Sequence, residues 1–253
     1  MIPIQILRVL STIRQFDVPA LLMGGQACVL YGAAEYSRDL DLAVLATESA
    51  LPKLAAVMQA LSATVIAVPP FAMEYLQRGH AVHFNVPDSQ ASPLRVDIMS
   101  QMRGVAPFEM LWERRTTITV PDDVSATGVN IELMALEDLV NAKKTQRDKD
   151  WPMLRRLVDA SYDSARDGRA TSAQATFWLT ELRSPEFLRE AVERFPSEAS
   201  SSTRAAVVAA TSGGDIESAL ATEQAHEMAR DREYWAPLRR ELEALRHQAR
   251  RMM

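Results

Sequence analysis

The chain has 253 residues, of which 47% are hydrophobic and 24% are charged, as is usual for a globular protein of one large or two smaller domains. Its net charge of −5 excludes a global basic field for nucleic acid, although a local basic groove stays open. A single cysteine, Cys28, excludes an internal disulfide or a zinc site built from cysteines. The apolar segment 1–10 is too short for a signal peptide or a membrane span, so we expect a cytoplasmic protein without membrane contact.

Hydrophobic periodicity predicts both helices and strands over the first 133 residues. Apolar residues at helical spacing indicate helices, and alternation of apolar and polar residues indicates strands. The predicted helices cover 3–16, 26–31, 50–61 and 107–115, and the predicted strands cover 20–23, 38–45, 64–68, 81–86, 94–99, 116–120 and 129–133. A polar connection separates the last two strands. The N-terminal half is therefore predicted to be α/β.

From residue 135 onward the pattern predicts helices only. They are placed near 135–150, 152–166, 172–183, 185–195, 203–211 and 215–249. The Ser-rich segment 197–202 is the best candidate for a linker, and Pro237 is expected to kink the last helix. We therefore predict two domains, an α/β domain over 1–134 and an all-helical domain over 135–253.

Two acidic residues stand side by side in the predicted strand 38–45. Strand side chains repeat every two residues, so Asp39 and Asp41 face one side and the intervening leucines face the other. Neighbouring carboxylates repel each other unless a cation lies between them. Mg²⁺ and other hard divalent cations take oxygen ligands of this kind and often share them with substrate phosphates. The pair therefore predicts a divalent cation site.

Two further features extend this prediction towards a nucleotide. Gly24-Gly25 forms a turn about fifteen residues before Asp39, and such turns can offer backbone N–H groups to a phosphate. Asp97 lies in the predicted strand 94–99, on the side away from its apolar residues. Together, these features predict a metal-dependent enzyme that acts on a nucleotide.

The same motifs resemble those of a known superfamily. Gly24-Gly25, then Ser37-Arg38-Asp39-Leu40-Asp41-Leu42, then Arg95-Val96-Asp97-Ile98 resemble the nucleotidyltransferases of the polymerase β-like superfamily. More narrowly, the chain is similar to the AbiEii-type nucleotidyltransferases, which include toxins of bacterial toxin–antitoxin and phage-defence systems. The segment 136–143, followed by Arg147-Asp148-Lys149-Asp150, resembles their Lys…Arg-x-Lys-Asp helix. The resemblance covers about residues 18–160.

The resemblance implies a nucleotidyltransferase-like mixed sheet flanked by helices, followed here by the helical domain. It implies a nucleoside triphosphate held with two Mg²⁺ ions, and catalytic, metal-binding roles for Asp39, Asp41 and Asp97. Asp97 is then best placed on the ion that lowers the pKa of the attacking hydroxyl, where it helps to remove the proton. The implied chemistry is two-metal transfer of a nucleotidyl group.

The resemblance also implies the nucleotide contacts, with one departure. Gly24-Gly25 cradles the phosphates and Ser37 lies near them; the alternative for Ser37 is an ordinary turn or cap residue. Proteins of this group often carry Arg four residues before the first metal-binding Asp, and here that position is Glu35. The departure leaves nucleotide affinity and acceptor choice open, with Arg38 and Arg95 as candidate replacements.

The predicted helix 135–150 is expected to contribute to the active site. At about 100° per residue, Lys143, Arg147 and Asp150 fall on the stripe that begins with apolar residues, so both cations are predicted to face inward. Two inward cations four residues apart suit the triphosphate of a nucleotide. The alternative is an ordinary helix ion pair, in which Asp150 holds either cation.

Two histidines lie near the predicted strand 81–86. His80 and His83 have the spacing His-x-x-His but no third ligand nearby in sequence, so they are interpreted as incidental and not as a metal site.

Taken together, these observations predict a Mg²⁺-dependent nucleotidyltransferase that moves a nucleoside monophosphate from an NTP to a hydroxyl. By resemblance, the acceptor is RNA, with tRNA the most interesting candidate, and the role is that of a toxin neutralised by an antitoxin protein. One alternative is transfer to a small molecule or a protein, because the same carboxylates serve any hydroxyl. The other is a non-catalytic interaction module on the same fold. The preferred base, the acceptor and the oligomeric state stay open.

Overall fold

The computed structural model describes residues 2–88, 91–120 and 128–252. The chain forms two compact units, which interleave in sequence. The first contains Met1–Leu30, Glu35–Ala142 and Tyr234–Met253, and the second contains Tyr31–Ala34 and Lys143–Glu233. The domain boundary between residues 134 and 135 stays a prediction, because compactness alone does not show which part folds independently.

A mixed sheet dominates the first unit. In the described residues its strands are β1 (Ala20–Met23), β2 (Leu40–Val44), β3 (Thr64–Val65), β4 (Val82–Val86), β5 (Leu94–Met99), β6 (Thr116–Val120) and β7 (Val129–Leu133). The spatial order is β3-β4-β5-β2-β1-β7-β6. The pairs β2–β5 and β1–β7 are parallel, and the other neighbours are antiparallel. The predicted connection between β6 and β7 includes residues 121–127, which lie outside the described residues.

Helices flank this sheet. They are α1 (Ile4–Gln15), α2 (Gly24–Leu30), α3 (Ala50–Ala60), α4 (Met73–Gln77), α5 (Phe108–Arg114) and α6 (Leu136–Ala142). Helix α1 is amphipathic and buries Ile6, Val9 and Ile13, which recur at helical spacing. The α/β class predicted for this part of the chain is confirmed.

The central strands are buried because their apolar side chains supply the core. All four residues of β1 are buried. Leu40 and Leu42 in β2, and Val96 and Ile98 in β5, are fully buried. The alternation that predicted β5 is therefore confirmed, and it leaves Asp97 on the opposite face of the sheet from its apolar neighbours.

The second unit is helical. It contains α7 (Asp150–Ser164), α8 (Ser172–Glu181), α9 (Pro185–Arg194), α10 (Pro196–Ser200), α11 (Ala205–Ser212) and the beginning of α12 (Ile216–Met252). Tyr162 and Trp178 are fully buried in this unit, and their rings meet edge to face with centroids 5.3 Å apart. The predicted helical C-terminal region is confirmed.

Several predicted elements differ in their bounds. Strand β2 begins at Leu40 and β3 ends at Val65, so the predicted strands 38–45 and 64–68 are too long. The predicted linker 197–202 is wrong over most of its length, because α10 begins with Pro196 in the first helical turn and continues to Ser200. Helix α12 continues through Pro237, whose predicted kink stays a prediction.

The predicted helix 135–150 is also wrong. Helix α6 ends at Ala142 and α7 begins at Asp150, so residues 143–149 form a connection. In the described parts of the chain, no helix combines the length and the apolar character that crossing a membrane requires.

Candidate active site

The central parallel pair of strands brings two of the predicted carboxylates together. Asp41 on β2 lies directly beside Asp97 on β5 in the strand register, and both are partly exposed. The buried residues on either side of each Asp hold it on the opposite face of the sheet. Asp39 lies just before β2 and is exposed. Of the three predicted carboxylates, Asp41 and Asp97 are therefore neighbours on paired strands, and Asp39 directly precedes one of those strands.

The Gly24-Gly25 turn is built against the side chain of Asp41. Gly24 has a φ of +66°, and a Cβ added to it would lie 1.8 Å from Oδ2 of Asp41. The backbone N–H of Gly25 donates to the same Oδ2, at 3.4 Å. Only glycine fits this position, because any side chain would displace the carboxylate. The turn and the carboxylate, sixteen residues apart in sequence, therefore form one local structure.

Ser37 lies against the other glycine of this turn. A Cβ added to Gly25 would lie 2.3 Å from Oγ of Ser37. That hydroxyl donates to the backbone carbonyl of Asp39 at 3.3 Å, and the buried Gln26 donates through Nε2 to the carbonyl of Ser37 at 2.7 Å. These bonds fix the segment that leads into β2 beside the turn.

Two side chains bind Asp97: Arg95, which the sequence offered as a candidate replacement for the arginine missing at position 35, and His83. Arg95 donates through Nε to Oδ1 at 2.8 Å and through Nη2 to Oδ2 at 3.0 Å, a bidentate arrangement. His83 faces Asp97 across the β4–β5 pair, with its Nδ1 2.8 Å from Oδ1 of Asp97 and 3.0 Å from Nη2 of Arg95. Protonated Nδ1 donates to the carboxylate, and unprotonated Nδ1 accepts from the guanidinium. His83 therefore contacts one of the predicted carboxylates, a role that its interpretation as incidental to metal binding did not include.

The charges of this cluster shift two pKa values. Burial by itself raises the pKa of Asp97, but the hydrogen bonds and charges of His83 and Arg95 outweigh it, so the pKa lies below its usual value. The pKa of Arg95 is raised by its hydrogen bond to Asp97, and the charges of Asp97, Asp39 and Asp41 add to this against partial burial. All three carboxylates therefore lie within electrostatic reach of one guanidinium.

The donor chemistry of this cluster suits a hard divalent cation, although the side chains as they stand are not arranged as ligands. In the described part of the chain, no group of three or more His, Cys, Asp or Glu side chains forms a metal-holding arrangement. Both oxygens of Asp97 are directed to Arg95 and His83. The guanidinium of Arg95 nevertheless contacts Asp97, and the charges of Asp39 and Asp41 also favour its charged form, so the cluster favours a positive charge.

Lys143 and Arg147 lie in the second unit, on the connection between α6 and α7. Nζ of Lys143 lies 3.8 Å from Oδ1 of Asp150, and Nη2 of Arg147 lies 2.7 Å from Oδ2. Thr145 also donates to that Oδ2, at 2.6 Å. The helical stripe predicted for these residues is wrong, because no helix joins them. The ion-pair part of the alternative, in which Asp150 holds either cation, is confirmed, since Asp150 pairs with both. Their contact with a nucleotide stays a prediction.

A separate open groove of about 680 Å³ lies at the far end of β2 and β5, in the first unit. Its lining includes Val44, Gln101, Arg103, Phe108 and Tyr234, and none of the predicted site residues. The lining mixes apolar, amide and charged groups, so it is neither the closed apolar pocket typical of a small acceptor nor a purely basic channel.

The chain was compared with known proteins at three levels. No protein-family model matches it, and no curated protein matches it in sequence. Among solved structures, 71% of the chain matches 92% of an antigenic nucleotidyltransferase-like protein from Paracoccidioides brasiliensis, with a TM-score of 0.40 and 12% sequence identity. A likeness of this strength assigns the chain neither to a family nor to an activity.

Proposed function

We propose that the chain is a nucleotidyltransferase that moves a nucleoside monophosphate from an NTP to a hydroxyl acceptor, with Mg²⁺. The observation that carries this proposal is the construction of the Gly24-Gly25 turn against Asp41, which itself lies beside Asp97. A glycine turn and adjacent carboxylates are what a metal-bound triphosphate requires: backbone donors for phosphate oxygens next to ligands for the cation. The resemblance of the motifs to nucleotidyltransferases supports the same reaction.

The residues have distinct parts in this proposal. Asp39, Asp41 and Asp97 would hold two Mg²⁺ ions, which when bound activate the attacking hydroxyl and stabilise the pyrophosphate leaving group. Asp97 is held by Arg95 and His83, so its carboxylate has a fixed direction on β5. The Gly24-Gly25 turn is built against the Asp41 carboxylate and would present its backbone to the phosphates.

The proposal for the acceptor is based on the resemblance of the motifs to known nucleotidyltransferases, and not on any contact in the structure. We propose RNA, with tRNA as the favoured class, and a biological role as the cytoplasmic toxin of an AbiEii-type pair with an antitoxin protein. Lys143 and Arg147 are proposed to contact the nucleotide; of the two, Arg147 is the more accessible to a ligand, with a side chain that is 56% exposed. Transfer to a small molecule or to a protein uses the same three carboxylates and is the alternative within enzymes.

The reaction is tested by incubating the purified protein with each α-³²P-labelled NTP, Mg²⁺ and total cellular RNA. Label should enter RNA with the wild-type protein, and not with the Asp39→Ala/Asp41→Ala double variant. The NTP that labels best identifies the base. Mg²⁺-dependent NTP binding without label in RNA would indicate another acceptor, and a complete absence of binding would leave a non-catalytic interaction module.

The toxin role has its own test. Induced expression of the wild-type protein should arrest bacterial growth, whereas the double carboxylate variant at the same level should not. Equal growth of the two cultures would contradict the toxin role and leave the reaction itself open to the RNA-labelling experiment.

A further inference from the structure

The C-terminal part of α12, residues 234–252, belongs to the first unit and packs one of its faces there. Oε2 of Glu241 lies 2.7 Å from Nε2 of the buried His80. A Cβ added to Gly79 would lie 3.0 Å from the hydroxyl of Tyr234. Seven residues make about two helical turns, so Tyr234 and Glu241 lie on the same face of the helix. These contacts determine which side of α12 is left to solvent.

The opposite side of this segment is basic. At about 100° per residue, five arginines and one acid, Glu243, fall on the side away from the packed residues, and all six are exposed. The five arginines, called the basic face from here on, are Arg239, Arg240, Arg246, Arg250 and Arg251. They extend over about 18 Å of helix, because each residue rises about 1.5 Å. A chain of net charge −5 therefore carries a local row of positive charge.

Four of these arginines have no partner among the described residues. Within residues 2–88, 91–120 and 128–252, no hydrogen bond or ion pair involves Arg240, Arg246, Arg250 or Arg251. Cations stabilise the C-terminal end of a helix, but only within its last turn, which contains Arg250 and Arg251. Arg240 and Arg246 lie further from the helix end, so this effect does not explain them.

The composition of the basic face suits a row of phosphates. Among the described residues, none of the large hydrophobic side chains that are exposed lies on α12. The face thus lacks the apolar anchors on which a protein interface or a membrane-surface helix depends. Each guanidinium can donate two parallel hydrogen bonds to phosphate oxygens. Interfaces with nucleic acid are more polar and more positively charged than interfaces between proteins.

This part of α12 is anchored close to the candidate active site. His80, which contacts Glu241, lies three residues before His83, which contacts Asp97. Three residues of backbone span at most about 11 Å. A nucleic acid held on α12 is therefore held by an element whose anchor lies near the carboxylates.

We propose that the basic face of α12 binds the phosphate backbone of the RNA acceptor. This inference rests on the proposed function, which supplies RNA as the acceptor and the carboxylates as the place of reaction. It makes RNA affinity, and not NTP affinity, depend on these arginines. It also makes RNA binding dependent on salt, because each neutralised phosphate releases counterions.

The test measures binding of fluorescein-labelled bacterial tRNA by fluorescence anisotropy, without NTP and over a range of KCl concentrations. One variant combines Arg240→Gln, Arg246→Gln, Arg250→Gln and Arg251→Gln. Its tRNA affinity should be about 100-fold lower than that of wild type. The slope of log affinity against log salt should also become shallower by about 3, because four phosphate contacts are lost.

The matched control removes four arginines that are also exposed and without a partner among the described residues, but that are dispersed over the second unit. It combines Arg156→Gln, Arg169→Gln, Arg189→Gln and Arg232→Gln. Both variants have the same net charge, so a general loss of positive charge affects them equally. The control should bind tRNA as wild type does. Both variants should keep the circular dichroism spectrum and the Mg²⁺-dependent NTP binding of wild type.

Failure of this inference is distinguishable from failure of the proposed function. Equal tRNA affinities of the two variants would overturn the inference while NTP binding stays intact. Binding of wild type to duplex DNA or to phosphatidylserine vesicles, but not to tRNA, would overturn the assignment to RNA. If wild type binds the NTP with Mg²⁺ but no tRNA, the inference is overturned and the reaction stands with another acceptor. If wild type binds no NTP, the proposed function is overturned, and the inference with it.

Discussion

Each compact unit contains a cluster of arginine and carboxylate side chains, and the two clusters differ in burial. In the first unit, Arg95 contacts Asp97 and lies within electrostatic reach of Asp39 and Asp41, and its side chain is 45% exposed. In the second unit, the side chain of Arg204 is only 11% exposed. The arginine of the first cluster is therefore open to solvent, whereas the arginine of the second is enclosed.

The charged groups of the enclosed cluster contact one another. Arg204 contacts Glu223 at 2.9 Å and donates to the backbone carbonyls of Leu179 and Leu182 at 2.7 and 2.8 Å. Arg183 contacts the same Glu223 at 2.6 Å. Burial and the charge of Arg183 lower the pKa of Arg204 against the attraction of Glu223. A cluster of this kind stabilises a fold, whereas partly exposed carboxylates on two adjacent strands, such as Asp41 and Asp97, are what a site for a metal and a nucleotide requires.

The largest effect on activity is expected from Asp41→Asn, a substitution in the cluster of the first unit. Loss of a metal-binding carboxylate should lower the rate of nucleotidyl transfer about 1,000-fold, because several kcal/mol of charge stabilisation are lost. Asp138→Asn is the control, since Asp138 also pairs with an arginine in the first unit but lies outside the predicted site. The labelling assay measures both. Equal losses of transfer rate in the two variants would show that Asp41 is no more important for the reaction than an ion-paired carboxylate outside the predicted site.

The next effect concerns the enclosed cluster. Glu223→Gln should lower the free energy of unfolding by about 3 kcal/mol, because it leaves buried arginine charge without its partner. Glu186→Gln, which removes an exposed pair with Arg155, should cost less than about 1 kcal/mol. Urea unfolding monitored by circular dichroism compares the two. Similar small losses would show that the enclosed cluster contributes no more than a surface ion pair.

The same variant should also change the pH dependence of stability. Burial raises the pKa of Glu223, but the hydrogen bonds and charges of Arg204 and Arg183 outweigh it and hold the pKa below the usual 4.5. The stabilisation is therefore complete above pH 4.5 and is lost as the pH falls through the folded-state value. The difference in stability between wild type and Glu223→Gln should narrow in acid; a constant difference would contradict this account.

A smaller effect is expected from a comparison of two glycines that have similar positive φ values. Gly24 and Gly213 have φ values of +66° and +73°, but a Cβ at Gly213 would meet nothing within 4 Å. Gly213→Ala should cost about 1 kcal/mol of stability from backbone strain and leave nucleotide binding intact. Gly24→Ala should add displacement of Asp41 and weaken Mg²⁺–NTP binding by about tenfold or more. Equal nucleotide affinities would show that the turn does not position the carboxylate.

The smallest effect is expected from Ser37→Ala. Loss of one hydroxyl beside the glycine turn should weaken NTP binding about threefold to tenfold. Ser164→Ala in the second unit removes a similar hydroxyl-to-carbonyl hydrogen bond, at 2.9 Å to Ser161, and should leave NTP binding unchanged. Unchanged NTP affinity in both variants would show that Ser37 is an ordinary turn residue and does not contact the nucleotide.

The sequence predicted the strands of the site but not all of its contacts. Alternation in 94–99 was sufficient to place Asp97, because a half-buried strand fixes the face of each residue. His83 was missed because its position depends on the register of β4 against β5, where it lies opposite Asp97. Pairing the two strands as a hairpin would have brought it to the site.

The break between α6 and α7 could not be predicted from local sequence. Residues 143–149 contain no Gly or Pro and include several good helix formers. Tertiary contacts determine the break: the backbone N–H of Gln146 donates to Asp231, 85 residues away, at 2.8 Å. Thr145, Arg147 and Lys143 converge on Asp150. Long-range partners of this kind leave no periodic pattern in the sequence.

Binding of a non-hydrolysable NTP, measured by titration calorimetry with Mg²⁺ and again with EDTA, tests the central claim most directly. The claim is that the carboxylates beside the Gly24-Gly25 turn hold a metal-bound nucleotide. Wild type should bind the NTP only with Mg²⁺, and Asp41→Asn should lose that binding while it keeps its fold. Equal binding with Mg²⁺ and with EDTA, or binding that survives Asp41→Asn unchanged, would contradict the account.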